Sequence, residues 1–311
     1  LQIGHQRRSN PRYIHCLEHV LRESKLIGQV THACGQWNRR VMQDQGMPLR
    51  YRIDEAVLRK YGYASGHEFR NWRWFKKYGG GPIVDLGSHQ IDSFRWFLGA
   101  NPSTVMADGG VDYYQDHEWY DNVMAIFEYP TPSGPVRAQY QVLTTTARRG
   151  YFEDIIGVDG VISLAEGKPR MSVYRDDKRT KRGDWVAWAR KGYLQDLFPW
   201  KSEEKKAPCL CSWIMQAAGK TGNAKPTPDQ VPFKGLNVGP SQPLEPWRVP
   251  IAMDKPIHQP HLENFFDAIR GGVELHCSAE DGYETAVAVL KVNDAVAAGR
   301  KLTFQPGEFK V

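Results

Sequence analysis

The chain has 311 residues, 41% apolar and 24% charged, with a formal net charge of +6. That length buries a full core in one large domain or two, and this balance excludes a disordered or fibrous chain. No apolar run reaches the length of a membrane span, the basic residues are dispersed, and five cysteines supply neither a disulfide framework nor a zinc set.

In chain order, Leu1 to His5 reads as a short buried strand, and Asn10-Pro11 as a turn that starts a helix. Ile14, Leu17, Val20 and Leu21 then recur at helical spacing up to Lys25, and Gly28 closes the element. Gln29 to Trp37 reads as the first strand of a new sheet. A polar stretch with a helix over Ile53 to Tyr61 leads into the aromatic run Phe69, Trp72, Trp74, Phe75 and Tyr78. Such rings either staple a loop to the core or stack on a ring-shaped ligand.

Gly79-Gly80-Gly81 followed by Pro82 reads as a tight turn feeding a helix that runs to Leu98, with Gly99 as its stop. Ile83, Leu86, Phe94 and Phe97 make its core face. Asp85 and His89, four residues apart, share another face. The pair is either a helix-end carboxylate beside a packed imidazole, or an acid–base couple in which the carboxylate orders the ring.

Beyond this helix, strands are expected over Ser103–Gly109, Asn122–Tyr129, Val136–Thr145, Phe152–Val158 and Gly160–Leu164, separated by Pro, Ser and Gly turns. Strands in series imply a large, mostly antiparallel sheet, with Arg170 to Tyr174 as another edge. Residues 176–249, rich in Lys, Pro, Gly and Trp, read as a long insertion with a helix near Trp185 to Leu197. Trp185, Trp188, Trp200 and Trp213 argue that it is packed. Pro260 starts a helix whose stripe of Leu262, Phe265, Phe266 and Ile269 is expected to be buried. Ser278 caps a last helix that ends at Gly299, and Leu302 to Phe304 is a last short strand.

The string GGGPIVDLGSHQIDSFRWFLG resembles the signature helix of the glucose–fructose oxidoreductase, inositol dehydrogenase and rhizopine-catabolism (Gfo/Idh/MocA) family. GHQRRSNPRY resembles the last strand-to-helix turn of that family's cofactor domain. Asn71-Trp72-Arg73 resembles its nicotinamide-side loop, Glu153 to Gly160 its sheet hairpin, and His261 to Arg270 its C-terminal helix. The resemblance implies an α+β fold: a large, mostly antiparallel open sheet with flanking helices, preceded by the last strand and helix of a truncated Rossmann domain. It divides the chain into a remnant of the dinucleotide-binding domain at 1–28 and a substrate-binding and oligomerisation domain at 29–311. The family's G-x-G-x-x-G turn and Glu-Lys-Pro motif do not occur in these residues.

The resemblance further implies hydride transfer between NAD or NADP and a carbinol of a sugar or cyclitol. His89 would contact the reacting hydroxyl, Asp85 would order substrate and imidazole, and Arg8, Trp72 and Arg73 would lie near the nicotinamide end of the cofactor. Arg7 is either a cofactor-side or a surface cation. No metal, nucleic acid or membrane is implied, and pairing through the sheet face would give a homodimer or homotetramer. Two other readings stand beside it: an NAD-dependent glycosidase that uses the cofactor transiently, and a non-catalytic sugar-binding or dimerisation subunit. A cytoplasmic location is expected, with export to the periplasm open because the first residue is Leu1.

Overall fold

The computed structural model describes residues 1–167, 171–177, 179–197 and 244–310. Leu1–Gln195 with Leu244–Val311 form one compact unit. Most of the expected insertion, including Trp200 and Trp213, lies outside the described residues.

Among the described residues ten strands form one open sheet. In chain order they are β1 (Val30–Asn38), β2 (Thr104–Gly110), β3 (Asn122–Thr131), β4 (Gly134–Leu143), β5 (Tyr151–Gly157), β6 (Gly160–Leu164), β7 (Ser172–Arg175), β8 (Gln195–Asp196), β9 (Glu245–Arg248) and β10 (Leu302–Thr303). Their spatial order is β10-β2-β3-β4-β1-β5-β6-β7-β9-β8. Only the β1–β4 ladder, with Ala33 opposite Ala138, is parallel among the registered pairs. Residues alternate along β3: Val123, Ala125, Phe127 and Tyr129 are buried, while Met124 and Ile126 are exposed. That period of two makes one face of the sheet core and leaves the other open.

The helices are α1 (Pro11–His15), continued as one π-helical stretch over Cys16–Glu23, then α2 (Glu55–Lys60), α3 (Gly66–Arg70), α4 (Pro82–Asp85), α5 (Gly87–Leu98), α6 (Arg182–Arg190), α7 (Gln259–Ile269) and α8 (Ala279–Ala298). The expected central helix is thus two helices with a joint at Leu86. Gly99 takes the left-handed conformation (φ 63°) that ends α5. Ile83, Ile91 and Phe94 are wholly buried on the sheet, each worth about 1.5–3 kcal/mol on transfer from water. Helix α8 packs on β2, α4 and α5, and begins with a capping box in which Ser278 and Asp281 bond each other's backbone N–H.

Three expectations are corrected. Leu1 to His5 is no strand: Ile3 N–H donates to Cys277 O (3.1 Å), and Ile3 O accepts from His261 Nε2 (2.8 Å), so the segment is spent on the α7–α8 region. The 170–174 strand is no edge, because β9 pairs along β7 with Trp247 opposite Val173. The apolar stripe of α7 is not buried. His261 and Asn264 face inward, bonded to Ser9 Oγ and Glu274 O, while Leu262 (50%), Phe266 (51%) and Ile269 (66%) stay exposed.

Candidate active site

The site is built around the glycine turn. Gly81 has φ 77°, a conformation L side chains rarely adopt, and a Cβ there would lie 2.9 Å from the Trp119 ring. The turn is tied to α8 by Asn293 Nδ2, which donates to Gly80 O (2.8 Å). Pro82 then opens α4, whose last residue is Asp85.

Asp85 Oδ2 accepts from Arg73 Nε at 2.9 Å, and the Arg73 guanidinium lies over the Trp72 ring, 4.2 Å from its centre. These three residues and the glycines line a cavity of about 330 Å³, with Tyr114, His117 and Trp119 opposite. Trp72, Arg73 and Asp85 are thus brought together. The cavity is walled by rings: His117 stacks on Tyr114 (3.8 Å between centres) and lies 4.1 Å from the Trp74 ring. Asp121 shapes this wall by accepting the backbone N–H groups of Asp112 (2.8 Å) and Tyr113 (2.7 Å). Those bonds hold its carboxyl below the ordinary range although burial pulls the other way. Tyr114, His117 and Trp119 were not picked out in the sequence. Their one signal is the aromatic density of the loop between β2 and β3.

His89 does not line this cavity. It stands one turn beyond Asp85, between the rings of His5 (5.5 Å) and Trp37 (5.6 Å). No hydrogen bond joins it to Asp85, and its buried Nδ1 has no partner. Burial, then the charge of Arg7, depress its pKa to about 3, so the ring is neutral at physiological pH.

Arg8 stands apart from Trp72 and Arg73. Its Nε and Nη2 donate to Asp92 at 2.9 and 3.0 Å, and its Nη1 pairs with Asp281 at 2.9 Å, so all three nitrogens are committed. Asp92 also accepts from Thr285 Oγ1 (2.9 Å). Burial raises the Asp92 carboxyl, but His5, Arg8 and Thr285 outweigh it and hold it charged. This network locks α5 to α8 beneath the site. Arg7 is no surface cation: it is wholly buried, 2.7 Å from Glu153 and 3.3 Å from Glu166. Among the described residues no cluster of three or more His, Cys, Asp or Glu could hold a metal ion, and no helix is long and apolar enough to cross a membrane.

Residues 20–163 match the model of the GFO/IDH/MocA C-terminal domain. The protein named "Putative oxidoreductase YteT" of Bacillus subtilis (strain 168) is 36% identical over 58 residues, which are 18% of this chain and 14% of that one. The fold is similar to a NAD-binding protein from Listeria innocua (15% identity, TM-score 0.55, 99% of this chain and 65% of that one). It is also similar to the aldose-aldose oxidoreductase from Caulobacter crescentus complexed with glycerol (14% identity, TM-score 0.58, 98% of this chain and 64% of that one). A levoglucosan dehydrogenase in complex with NADH and levoglucosan is a third (15% identity, TM-score 0.56, 96% of this chain and 65% of that one). The chain therefore spans less than two thirds of the length of each of these structures. The matched residues 20–163 help to build the open sheet, and over that stretch the chain is similar to the GFO/IDH/MocA C-terminal domain.

Proposed function

We propose that this domain forms the substrate side of an NAD- or NADP-dependent oxidoreductase acting on a CH–OH group of a sugar or cyclitol. The observation that carries the reading is the pairing of an aromatic, cation-edged cavity with an uncommitted neutral imidazole one turn along the same chain segment. The residues fit one end of the cofactor. Trp72 offers a flat face, Arg73 a cation, and Gly79 to Gly81 a backbone without side chains, in a space of about 330 Å³ that takes a ring rather than a whole dinucleotide. When bound, the cofactor supplies the acceptor or donor of hydride.

The chain supplies the rest. The half-buried His89 makes no side-chain hydrogen bond, so its Nε2 is available to take the proton of a carbinol hydroxyl. Asp85 is held at Oδ2 by Arg73, which leaves Oδ1 to accept from a second hydroxyl and orient the sugar. Arg8 acts at one remove, by fixing Asp92 and so the pitch of α5.

The test uses the chain expressed with any coding sequence that precedes Leu1. Net reduction of NAD or NADP in the presence of a sugar or cyclitol is the expected result. Release of a sugar from a glycoside without net nicotinamide reduction would replace this reading with the glycosidase. No turnover of either kind, with the fold intact, would favour the non-catalytic subunit.

We also propose a homodimer paired through the open sheet face. Met106 (49%), Met124 (51%) and Ile126 (46%) are exposed there side by side, with Met106 opposite Ile126 in the β2–β3 register. Light scattering at micromolar concentration should give twice the chain mass, and Ile126→Lys should give the monomer. A wild-type monomer would end the proposal.

A further inference from the structure

A second cavity, of about 470 Å³, shares Trp72, Arg73, Trp74 and Met42 with the first. Its remaining wall includes Arg39, Arg70, Tyr63 and Phe69, and none of its lining residues is acidic. We propose that it is a binding subsite for a carboxylate or phosphate carried by the sugar substrate. This deepens the reading of the site as a sugar oxidoreductase and rests on it for the identity of the ligand as substrate.

Three arginines line it, and most of their donors are unspent. Arg39 has no side-chain hydrogen bond or ion pair among the described residues. Arg70 uses Nε on Gly46 O (3.1 Å), and its Nη2 reaches Gln45 O only at 3.5 Å. Arg73 uses Nε on Asp85, which leaves both Nη groups. Guanidinium forks match carboxylate and phosphate oxygens two at a time, and the Trp72 face under Arg73, 4.2 Å from its centre, helps to position that cation.

Asp85 engages Arg73 through Nε alone, and no acid pairs with Arg39 or Arg70 among the described residues. Asp44 lies just outside the wall and is occupied by Asn71 Nδ2 (2.7 Å), the Gly46 N–H (2.8 Å) and His67 Nε2 (3.1 Å). Asn71, buried at 3%, accepts the Gln45 N–H (3.0 Å) and so fixes the loop that carries the cavity edge. Tyr63, Phe69 and Trp72 give the apolar faces on which sugar C–H groups stack. A ligand can therefore hold its anion in the second cavity and reach past the shared Trp72–Arg73 wall toward Asp85, beside the ring that the first cavity takes. The net charge of +6 favours the approach of such a ligand at low salt.

Calorimetric binding to the 311-residue chain tests this without cofactor or turnover. The probes are glucuronate, glucose 6-phosphate, neutral glucose and ADP. Either anionic sugar should bind about tenfold or more tightly than glucose, and the advantage should shrink as salt rises. The arm that binds tells carboxylate from phosphate. The double variant Arg39→Gln, Arg70→Gln should lose about tenfold in affinity for the anionic sugar with an unchanged melting temperature. Equal binding of glucose, no detectable anionic binding, or an unaffected double variant would overturn the proposal. Binding of ADP but of neither anionic sugar would give the cluster to a nucleotide phosphate and overturn it too. None of these outcomes depends on nicotinamide turnover, so failure of the oxidoreductase reading would show separately.

Discussion

Replacing His89 by alanine should lower turnover by about a hundredfold or more, with cofactor affinity nearly unchanged, because the substitution removes the group proposed to take the hydroxyl proton. The structure sharpens how this would look. Burial beside Arg7 lowers the His89 pKa from 6.5 to about 3, so the ring is already neutral across the physiological range. The acid limb of kcat/KM should therefore show no titration near 6.5 from this residue. Asp85→Asn should cost less, since it keeps the shape and an acceptor oxygen but loses the charge that Arg73 pairs with at 2.9 Å. Turnover and melting temperature measured on both variants decide the matter. A fall of about 1 kcal/mol in stability with turnover per folded molecule intact would make His89 a packed side chain and nothing more.

Much of the sheet could be read from local pattern. Alternation in β3 and β4 assigns Val123, Phe127, Val136 and Tyr140 to one face, and each is wholly buried. The glycine stops at Gly99 and Gly299 are both left-handed caps, because no other residue type takes that conformation as readily. Amphipathic spacing fails where it must say which face is covered. In α7 the apolar stripe and the polar His261–Asn264 face recur with the same period. The polar face won because Ser9, Ile3 and Glu274 offer it hydrogen bonds. The first five residues fail for a related reason. A strand needs a neighbour, and among the described residues their backbone finds Cys277 and His261 instead.

The candidate site was legible where it is local. Trp72, Arg73 and Asp85 lie within fourteen residues around one glycine turn, so the chain folds back on itself to join them. The far wall was not. Tyr114, His117 and Trp119 arrive from another loop, held in place by Asp121, and nothing in their spacing announces it. The commitment of Arg8 to Asp92, 84 positions away, was equally invisible. Ion pairs between distant segments leave no periodic trace.

The largest loss of stability should come from Arg7→Met. Arg7 and Glu153 are both wholly buried, 2.7 Å apart, with Glu166 at 3.3 Å and the Tyr13 hydroxyl donating to Glu153 at 2.7 Å. Methionine fills much of the volume but leaves two carboxyl groups facing each other without the cation, at a cost of about 3–5 kcal/mol. The cost should depend on pH, and its sign follows from Glu153. Burial pushes that carboxyl up to about 7 even with Arg7 opposing it. A raised carboxyl contributes stability that is complete below its unfolded value of 4.5 and is lost as pH rises through about 7. Without Arg7 the carboxyl rises further, so the variant can keep it protonated at low pH and cannot at high pH. The gap between variant and wild type should therefore be small near about pH 5 and widest near about pH 8 in urea unfolding at both. Glu153→Gln should cost less than Arg7→Met, since Glu166 still faces the guanidinium and the amide oxygen can still accept from Tyr13. Equal midpoints for Arg7→Met and wild type at both pH values would show that the buried cation does not hold these carboxylates in the fold.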